Sequence, residues 1–257
     1  MIKLGQHFLI NKEKTKKIIE ALDLKDGDFL IEIGPGHGEL TNELKIKSAG
    51  WRTKLRIIAV EKDEKLATYI QKKFVQDKNI QIIQEDILKI LPDLIIKLPD
   101  YPAANYKITG NIPYYITGYL LRIIGELKNK PRLTILMIQK EVAERICANP
   151  PGMNLLAASV QFWAEPEIIE YVSRKDFKPQ PKVDSAIIKL ITLRTANHKL
   201  QTNYYKTIKI LFKHPRKTIL NNLRPVSEKL NSIGIDLKKR PQDLSVDDIK
   251  KISEMIY

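Results

Sequence analysis

Four consecutive residues, Asn111-Ile112-Pro113-Tyr114, combine groups that suit chemistry on an aromatic amine. Such an amine, for example N6 of adenine, is a poor nucleophile because its lone pair is delocalised into the ring. The Asn111 amide oxygen and the Ile112 carbonyl can both accept hydrogen bonds from the NH2 group, which returns electron density to nitrogen. Tyr114 can stack on the base, and Pro113 stiffens the turn between them. A plain turn after a strand would use Asn and Pro equally well.

A glycine-rich turn lies at the end of the first strand-like segment. The apolar run of residues 29–33 leads directly into Gly34-Pro35-Gly36-His37-Gly38, and a helix-like segment follows. A strand, a glycine-rich turn and a helix form the nucleotide-cradling unit of doubly wound sheets. Gly34 and Gly36 let the backbone approach a ligand with no Cβ in the way. The spacing G-x-G-x-G differs from the G-x-G-x-x-G of dinucleotide-dependent dehydrogenases, which argues against that class.

The next two strand-like segments each end in acidic residues. Residues 55–60 precede Glu61, and residues 79–84 precede Glu85 and Asp86. A carboxylate only accepts hydrogen bonds, so Glu61 suits the two hydroxyls of a ribose. Asp86 could accept a hydrogen bond from an adenine amino group, or it could cap the turn that follows. Three successive strand ends thus carry Gly34, Glu61 and Asp86, and together they favour a nucleotide-like ligand.

Two further segments could take part in a site. The first is a proline-rich stretch that is expected to be extended, Phe177-Lys178-Pro179-Gln180-Pro181-Lys182-Val183-Asp184-Ser185. Phe177 could stack on the second face of a flipped base, opposite Tyr114, or it could anchor the loop in the core. The second is the N-terminal arm, residues 1–11, which could close over a ligand or pack as an ordinary terminus, and the sequence alone favours the packed terminus.

The order of strand and helix patterns predicts the domain organisation. Strands and helices alternate to residue 193, which indicates an α/β domain with a mostly parallel sheet. The remaining predicted strands cover residues 106–110, 133–138, 168–172 and 186–191. The predicted helices of this domain cover residues 11–22, 117–127, 140–147 and 154–163, and residues 91–102 are expected to form a proline-containing loop. A small all-helical domain is predicted for residues 194–257, with helices at 204–212, 216–223, 226–230 and 246–256. Ser245, with Asp248 three places on, resembles a capping box that opens the last of these helices.

Charge is the most distinctive feature of the composition. The chain has 44 basic and 30 acidic residues, a net charge of +14, which favours an anionic partner and nucleic acid above a membrane surface. Residues 194–257 contain 14 of the basic and 6 of the acidic residues, as expected of a nucleic-acid-binding module. Its candidate RNA-binding residues are Arg216, Lys217, Lys238, Lys239 and Arg240.

Several classes of protein are disfavoured. Purely apolar runs, such as residues 135–138, are far too short for a membrane span, and the N-terminus shows no targeting pattern. The single cysteine, Cys147, allows no internal disulfide and no cysteine-rich metal site, so no metal is expected. The default expectation is a cytoplasmic monomer.

Together the motifs resemble the ribosomal RNA adenine N6-dimethyltransferase family, in particular its small-subunit (16S-type) branch. The resemblance extends from Gly5-Gln6-His7-Phe8-Leu9 to the region of Arg240-Pro241 and Leu244-Ser245. The motifs that carry it are Glu32-Ile33-Gly34-Pro35-Gly36-His37-Gly38, Asn111-Ile112-Pro113-Tyr114 and the segment from Phe177 to Ser185. Where the family commonly has consecutive basic residues, His214-Pro215 precedes Arg216-Lys217.

The resemblance implies a Rossmann-like class I methyltransferase sheet with helices on both faces and S-adenosylmethionine as methyl donor. It implies two methyl groups on N6 of each of two adjacent adenosines near the 3′ end of small-subunit rRNA, in a naked RNA or an assembling 30S-type particle. The implied catalytic residues are Asn111, Ile112, Pro113, Tyr114 and Phe177. The implied cofactor-binding residues are His7, Leu9, Gly34, Gly36, Glu61, Asp86 and Asn111, with His7 at a position where the family often has Asn.

Two other functions stay open at this point. Methylases of the macrolide-resistance type share the glycine turn and the Asn-x-Pro-Tyr motif but act on large-subunit RNA. A non-catalytic RNA-binding assembly factor could keep the same fold, although the intact Asn111, Tyr114, Glu61 and Asp86 argue against lost activity.

Overall fold

The computed structural model describes residues 6–52, 55–97, 106–193, 198–224 and 234–257. The chain divides into two compact units, one formed by residues 1–143 and 167–192 and the other by residues 144–166 and 193–257. The second unit thus takes in residues 144–166, which the sequence analysis placed in the first domain. One reason is aromatic packing, because the rings of Phe162 and Tyr204 stack with centroids 4.2 Å apart. The Tyr204 hydroxyl also donates to the carbonyl of Ala158 at 3.1 Å.

A sheet of seven strands carries the site. Its strands are β2 (Phe29–Ile33), β3 (Arg56–Glu61), β4 (Ile80–Gln84), β5 (Tyr106–Asn111), β6 (Leu133–Gln139), β7 (Ala164–Val172) and β9 (Ser185–Thr192), in the order β4-β3-β2-β5-β6-β9-β7. Strands β2 to β6 pair in parallel, and β9 is antiparallel to β6. Two short strands, β1 (Phe8–Leu9) and β8 (Phe177–Lys178), pair separately and antiparallel. The predicted mostly parallel α/β sheet is confirmed.

The helices in the described residues are α1 (Lys12–Ala21), α2 (Glu39–Lys47), α3 (Glu64–Lys73), α4 (Ile87–Ile96), α5 (Thr117–Glu126), α6 (Lys140–Ile146), α7 (Leu155–Gln161), α8 (His198–Leu211), α9 (Ile219–Asn222) and α10 (Val246–Ile256). Parallel crossovers are right-handed. Because the strand order runs in opposite directions from β2 to β4 and from β5 to β6, the connecting helices cover both faces of the sheet. Helix α10 begins with the predicted capping box of Ser245 and Asp248.

The expected loop at residues 91–102 is wrong in its first part, since α4 continues to Ile96 and contains Pro92. Three buried residues recur at helical spacing, Ile87, Leu91 and Ile95, and their burial offsets the hydrogen bond that proline cannot donate. Residues 98–105 lie outside the described residues.

Two further differences concern helices. Helix α3 was not predicted, although Asp63 caps its first turn by accepting from the Leu66 N–H at 3.0 Å. The helix predicted for residues 216–223 begins only at Ile219, where Thr218 is the N-cap. The turn before it is held by the Asn222 side-chain amide, which donates to the carbonyls of His214, Lys217 and Thr218. The predicted helix at 226–230 lies outside the described residues.

Candidate active site

The candidate site lies where the strand order reverses, between β2 and β5. Open α/β sheets bind their ligands at such a switch point, outside the carboxyl ends of the strands. Gly34 follows β2 with a φ of +65°, and its N–H donates to the Val60 carbonyl at 2.9 Å. The two central strands approach closely, because a Cβ on Gly110 would overlap the carbonyl oxygen of Ile33. Gly110 therefore allows β2 and β5 to lie close together beside the cleft.

The cleft has two adjoining halves. The first is lined by Gln6, His7, Phe8, Gly34, Gly36, Glu61, Asn111, Ile112, Pro113 and Tyr114. The second shares Gln6, Gly34, Glu61 and Pro113 with the first and adds residues that include Lys62, Glu85, Asp86, Ile87 and Tyr115. The structure thus gathers the predicted strand-end residues and the Asn111–Tyr114 motif around one space. Gln6 and Phe8 also line it, and their place in the arm gave no signal that distinguished them from an ordinary terminus.

The Asn111 side chain has a defined orientation. Its Nδ2 donates to the carbonyl oxygen of His7 at 2.7 Å. A carbonyl only accepts, so the amide nitrogen faces His7 and the amide oxygen is turned away from it. The neighbouring Ile112 is almost fully buried, and its N–H donates to the Met137 carbonyl at 3.0 Å. This arrangement can present the Asn111 oxygen as an acceptor within the cleft.

Tyr114 is held at its hydroxyl end and along its ring. Its hydroxyl oxygen lies 2.9 Å from Oγ of Ser185, the first residue of β9. Its ring stacks against the His7 imidazole, with centroids 6.1 Å apart and planes at 27°. Burial raises the pKa of Tyr114, so the phenol keeps its proton at neutral pH. A half-buried ring with a fixed plane is suited to stacking on a base.

The N-terminal arm crosses the cleft. In β1 and β8, Phe8 pairs with Lys178 and Leu9 with Phe177. His7 Nδ1 lies 2.8 Å from the Pro179 carbonyl, so this nitrogen carries the proton. The Phe8 ring meets the His37 ring edge-on at 4.4 Å, and a Cβ on Gly36 would lie 2.9 Å from Phe8. Of the two alternatives for the arm, closing over a ligand site matches its position.

Phe177 and Leu9 occupy other positions than their predicted roles require. The Phe177 side chain is only 4% exposed and packs in the hydrophobic core with Ile18, Leu22 and Ile187. In this conformation Phe177 is the apolar anchor of its loop, and its stacking on a base stays a prediction. Alternation along β8 sends Phe177 inward and Lys178 outward. Leu9 also packs against this core and does not line the cleft.

Glu61 is a buried carboxylate with both oxygens held by backbone donors. Oε1 accepts from the Asp63 N–H at 2.8 Å, and Oε2 accepts from the Gly36 N–H at 3.2 Å. Burial raises the pKa of Glu61, against these N–H groups, which lower it. The carboxylate retains lone pairs for further donors, because each oxygen accepts about two hydrogen bonds. Glu61 can therefore receive a diol at the cleft.

Asp86 both caps a helix and lines the cleft. Its Oδ1 accepts from the Leu88 N–H at 3.0 Å as the N-cap of α4, and its Oδ2 pairs with Lys62 Nζ at 2.9 Å. Burial alone would raise the pKa of Asp86, but these partners outweigh it and the pKa lies below the usual value. The two sequence interpretations of Asp86 are therefore compatible.

A further acid, Glu32, belongs to the glycine motif but received no role from the sequence. It is 1% exposed, and Thr41 Oγ1 donates to its Oε2 at 2.7 Å. Burial raises its pKa to about 7, with smaller contributions from the charges of Glu39 and Glu61. Its position inside a wholly buried strand was the signal that this acid would be perturbed.

The candidate RNA-binding residues lie on the second unit. All five are exposed, namely Arg216, Lys217, Lys238, Lys239 and Arg240. The two clusters are brought side by side because Ile219 N–H donates to the Lys239 carbonyl at 2.8 Å and Leu220 N–H to the Leu237 carbonyl at 3.0 Å. Positions about twenty residues apart in the chain therefore form one basic surface.

The described residues contain neither a metal site nor a membrane-spanning helix. No group of His, Cys, Asp or Glu there has an arrangement that could hold a metal ion. No helix in the same ranges has the length and apolar character needed to cross a membrane.

Comparison with known proteins decides the family. The sequence pattern of the family described as ribosomal RNA adenine dimethylase matches residues 1–257. This chain belongs to that family. As a member it is an S-adenosylmethionine-dependent rRNA adenine dimethyltransferase. A relative from Dehalococcoides mccartyi (strain CBDB1), named ribosomal RNA small subunit methyltransferase A, is 41% identical over 97% of this chain and 86% of its own length. A protein of the same name from Mycoplasma mycoides is 35% identical over 98% of this chain and 96% of its own.

Solved structures support the same fold for this family member. A dimethyladenosine transferase from Plasmodium falciparum superposes with a TM-score of 0.77 at 24% identity, covering 96% of both chains. The 23S rRNA methyltransferase ErmE gives a TM-score of 0.73 at 24% identity, covering 97% of this chain and 99% of its own. These likenesses confirm the class I methyltransferase fold.

The cleft residues of this dimethyltransferase fit S-adenosylmethionine. Gly34 and Gly36 have φ values of +65° and +60°, and neither can gain a Cβ without strain, so they form a cradle for the close approach of a ligand. Glu61 offers acceptor oxygens for a diol, and Asp86 with Ile87 lines the adjoining half. When bound, the cofactor supplies a methyl group that is already activated on a sulfonium.

Proposed function

We propose that this chain dimethylates N6 of two adjacent adenosines near the 3′ end of small-subunit rRNA. The observation that carries the proposal is the fixed Asn111 amide beside the Tyr114 ring in a cleft of the dimethylase family's fold. The relatives from D. mccartyi and M. mycoides carry a small-subunit name at 41% and 35% identity, which supports this target over large-subunit RNA.

The residues act by positioning and by hydrogen bonding. The Asn111 amide oxygen and the Ile112 carbonyl accept hydrogen bonds from the adenosine amino group, which concentrates electron density on N6. Tyr114 stacks on the base and fixes its plane. The base must leave its stack to reach the cleft, and an RNA loop makes this less costly. Because N6 keeps one hydrogen after the first methylation, the same site can act a second time, with one of the two acceptors bonded to that hydrogen.

The finer assignments belong to the same proposal. His7, Gly34, Gly36, Glu61 and Asp86 hold the cofactor, with Gln6 and Phe8 of the arm beside them. The basic surface of the second unit contacts phosphates of the RNA. The substrate is an assembling small-subunit particle, and the enzyme acts as a cytoplasmic monomer.

Methyl transfer from labelled S-adenosylmethionine tests this function directly. Small-subunit particles that lack the modification, large subunits and the two naked RNAs are compared, and the digested RNA is analysed by mass spectrometry. We expect dimethyladenosine in small-subunit particles alone. Label in large-subunit RNA would instead assign the chain to the resistance-type branch, and cofactor binding with no label in any RNA would favour an assembly factor.

A further inference from the structure

Ser185 is the last residue of the proline-rich motif, and the mechanism above gives it no role. It is fully buried at the start of β9, opposite Gln139 of β6. Its hydroxyl lies 2.9 Å from the Tyr114 hydroxyl. Because β9 is antiparallel to β6, its first residue reaches the edge where the parallel strands end and the cleft opens.

This bond links two elements that are separated in the sheet. Tyr114 follows β5, and β6 lies between β5 and β9. The tyrosine therefore extends past the end of β6, and its hydroxyl forms a hydrogen bond with Ser185 on β9. A second contact holds the face of the Tyr114 ring, because the His7 ring stacks on it. The ring is thus fixed both along its face and at its far end.

Other buried hydroxyls in the same sheet show that such a bond is not a general requirement of burial. Thr109 on β5 and Thr134 on β6 are fully buried, and their Oγ1 atoms have no hydrogen-bond partner among the described residues. Ser185 differs because its hydroxyl meets the residue that is to hold the target base.

We infer that Ser185 is a positioning residue, which sets the plane of the Tyr114 ring through their hydroxyl–hydroxyl bond and so aligns the target adenine. The inference rests on the proposed function. It explains why a serine ends the motif, since Ala would leave the phenol of Tyr114 unpaired at a half-buried position. It also assigns the motif two separate tasks, anchoring by Phe177 and alignment by Ser185.

A double-mutant cycle tests this role. Ser185→Ala and Tyr114→Phe each remove one hydroxyl of the bond, and each should lower kcat for methyl transfer by about 3- to 10-fold. If Ser185 acts only through Tyr114, the double variant should be no slower than the slower single variant. The affinity for S-adenosylmethionine, measured by calorimetry, should stay within about twofold of wild type, because Tyr114 is proposed to stack on the base and not to hold the cofactor.

Ser253→Ala is the matched control, since its buried hydroxyl has no partner among the described residues and lies in the second unit. It should leave kcat unchanged. Multiplicative losses in the double variant, or Ser185→Ala at wild-type kcat, would overturn the role of Ser185. A wild-type protein that transfers no methyl would instead overturn the proposed function. Should Ser185→Ala fold poorly, Tyr114→Phe breaks the same bond with Ser185 in place, and a wild-type kcat in that variant also overturns the inference.

Discussion

The side-chain amide of Asn111 donates to the main-chain carbonyl of His7 at 2.7 Å, across 104 positions of sequence. This contact turns the Asn111 oxygen away from the arm and ties its orientation to the backbone of the arm. The His7 side chain makes a further hydrogen bond, from its Nδ1 to the carbonyl oxygen of Pro179 at 2.8 Å. The arm, strand β5 and the proline-rich segment therefore depend on one another to form the part of the cleft that Asn111 and Tyr114 line.

Asn111→Ala removes the oriented acceptor, and we expect kcat to fall by at least about 100-fold, as for the loss of one preorganised transition-state group. Affinity for S-adenosylmethionine should change only a few fold, because the Asn111 amide oxygen bonds the amino group of the target adenosine and not the cofactor. Single-turnover methyl transfer and calorimetry measure the two effects. Asn149→Ala, at an exposed loop of the second unit, is the control. Unchanged turnover in Asn111→Ala would refute this mechanism.

Glu61→Gln replaces an acceptor-only carboxylate by an amide that offers one acceptor oxygen. We expect S-adenosylmethionine to bind about 10- to 100-fold more weakly, since hydrogen bonds to a charged group are stronger than those to a neutral one. Glu64→Gln, an exposed acid three residues further on, makes the same chemical change outside the cleft. Equal affinities of the two variants in calorimetry would remove Glu61 from the ribose role.

Glu32 makes stability depend on pH. Burial raises its pKa from 4.5 to about 7, so the folded state holds this proton more tightly than the unfolded chain does. The stabilisation of the folded state by this proton is complete below the unfolded pKa of Glu32. It is lost as the pH rises through about 7. Glu32→Gln cannot ionise, so its unfolding free energy relative to wild type should rise by roughly 3 kcal/mol between about pH 4 and about pH 8.5. Denaturant unfolding of both proteins at several pH values measures this, and parallel pH profiles would show that Glu32 does not titrate in this range.

Lys107 is a buried cation inside the sheet. It is 2% exposed, and its Nζ lies 2.6 Å from Asp28 Oδ2 and donates to the carbonyls of Leu22 and Asp23. Lys107→Met leaves Asp28 buried without its cation, and we expect the free energy of unfolding to fall by about 3–5 kcal/mol. Lys17→Met, which breaks an exposed pair with Glu20, should cost less than about 1 kcal/mol. Similar costs for both, measured by denaturant unfolding, would contradict this account.

The basic surface of the second unit predicts a salt effect. Changing Lys238, Lys239 and Arg240 to Ser should weaken RNA binding and lower the slope of log affinity against log salt by about 2 to 3, if each residue contacts a phosphate. A triple Ser variant at Lys12, Lys16 and Lys17 removes the same charge from exposed positions of α1 and is the control. Identical slopes for the two triple variants would mean that the surface makes no specific phosphate contacts.

The sequence by itself determined the order of the seven strands of the main sheet and the residues at the strand ends. Gly34, Glu61 and Asn111 follow apolar runs, and the parallel sheet brings such ends to one edge. The capping box at Ser245 likewise defined the start of α10. These predictions succeed because hydrophobic periodicity and helix caps act over a few neighbouring residues.

Tertiary structure alone decided where side chains point and what surrounds them. Phe177 lies in the core because the register of β8 against the arm turns it inward. Ser185 reaches Tyr114, and Asn111 reaches His7, through contacts between residues that are 71 and 104 positions apart. Side-chain direction and the choice of hydrogen-bond partner depend on atoms from distant segments, and no local pattern in the sequence specifies them.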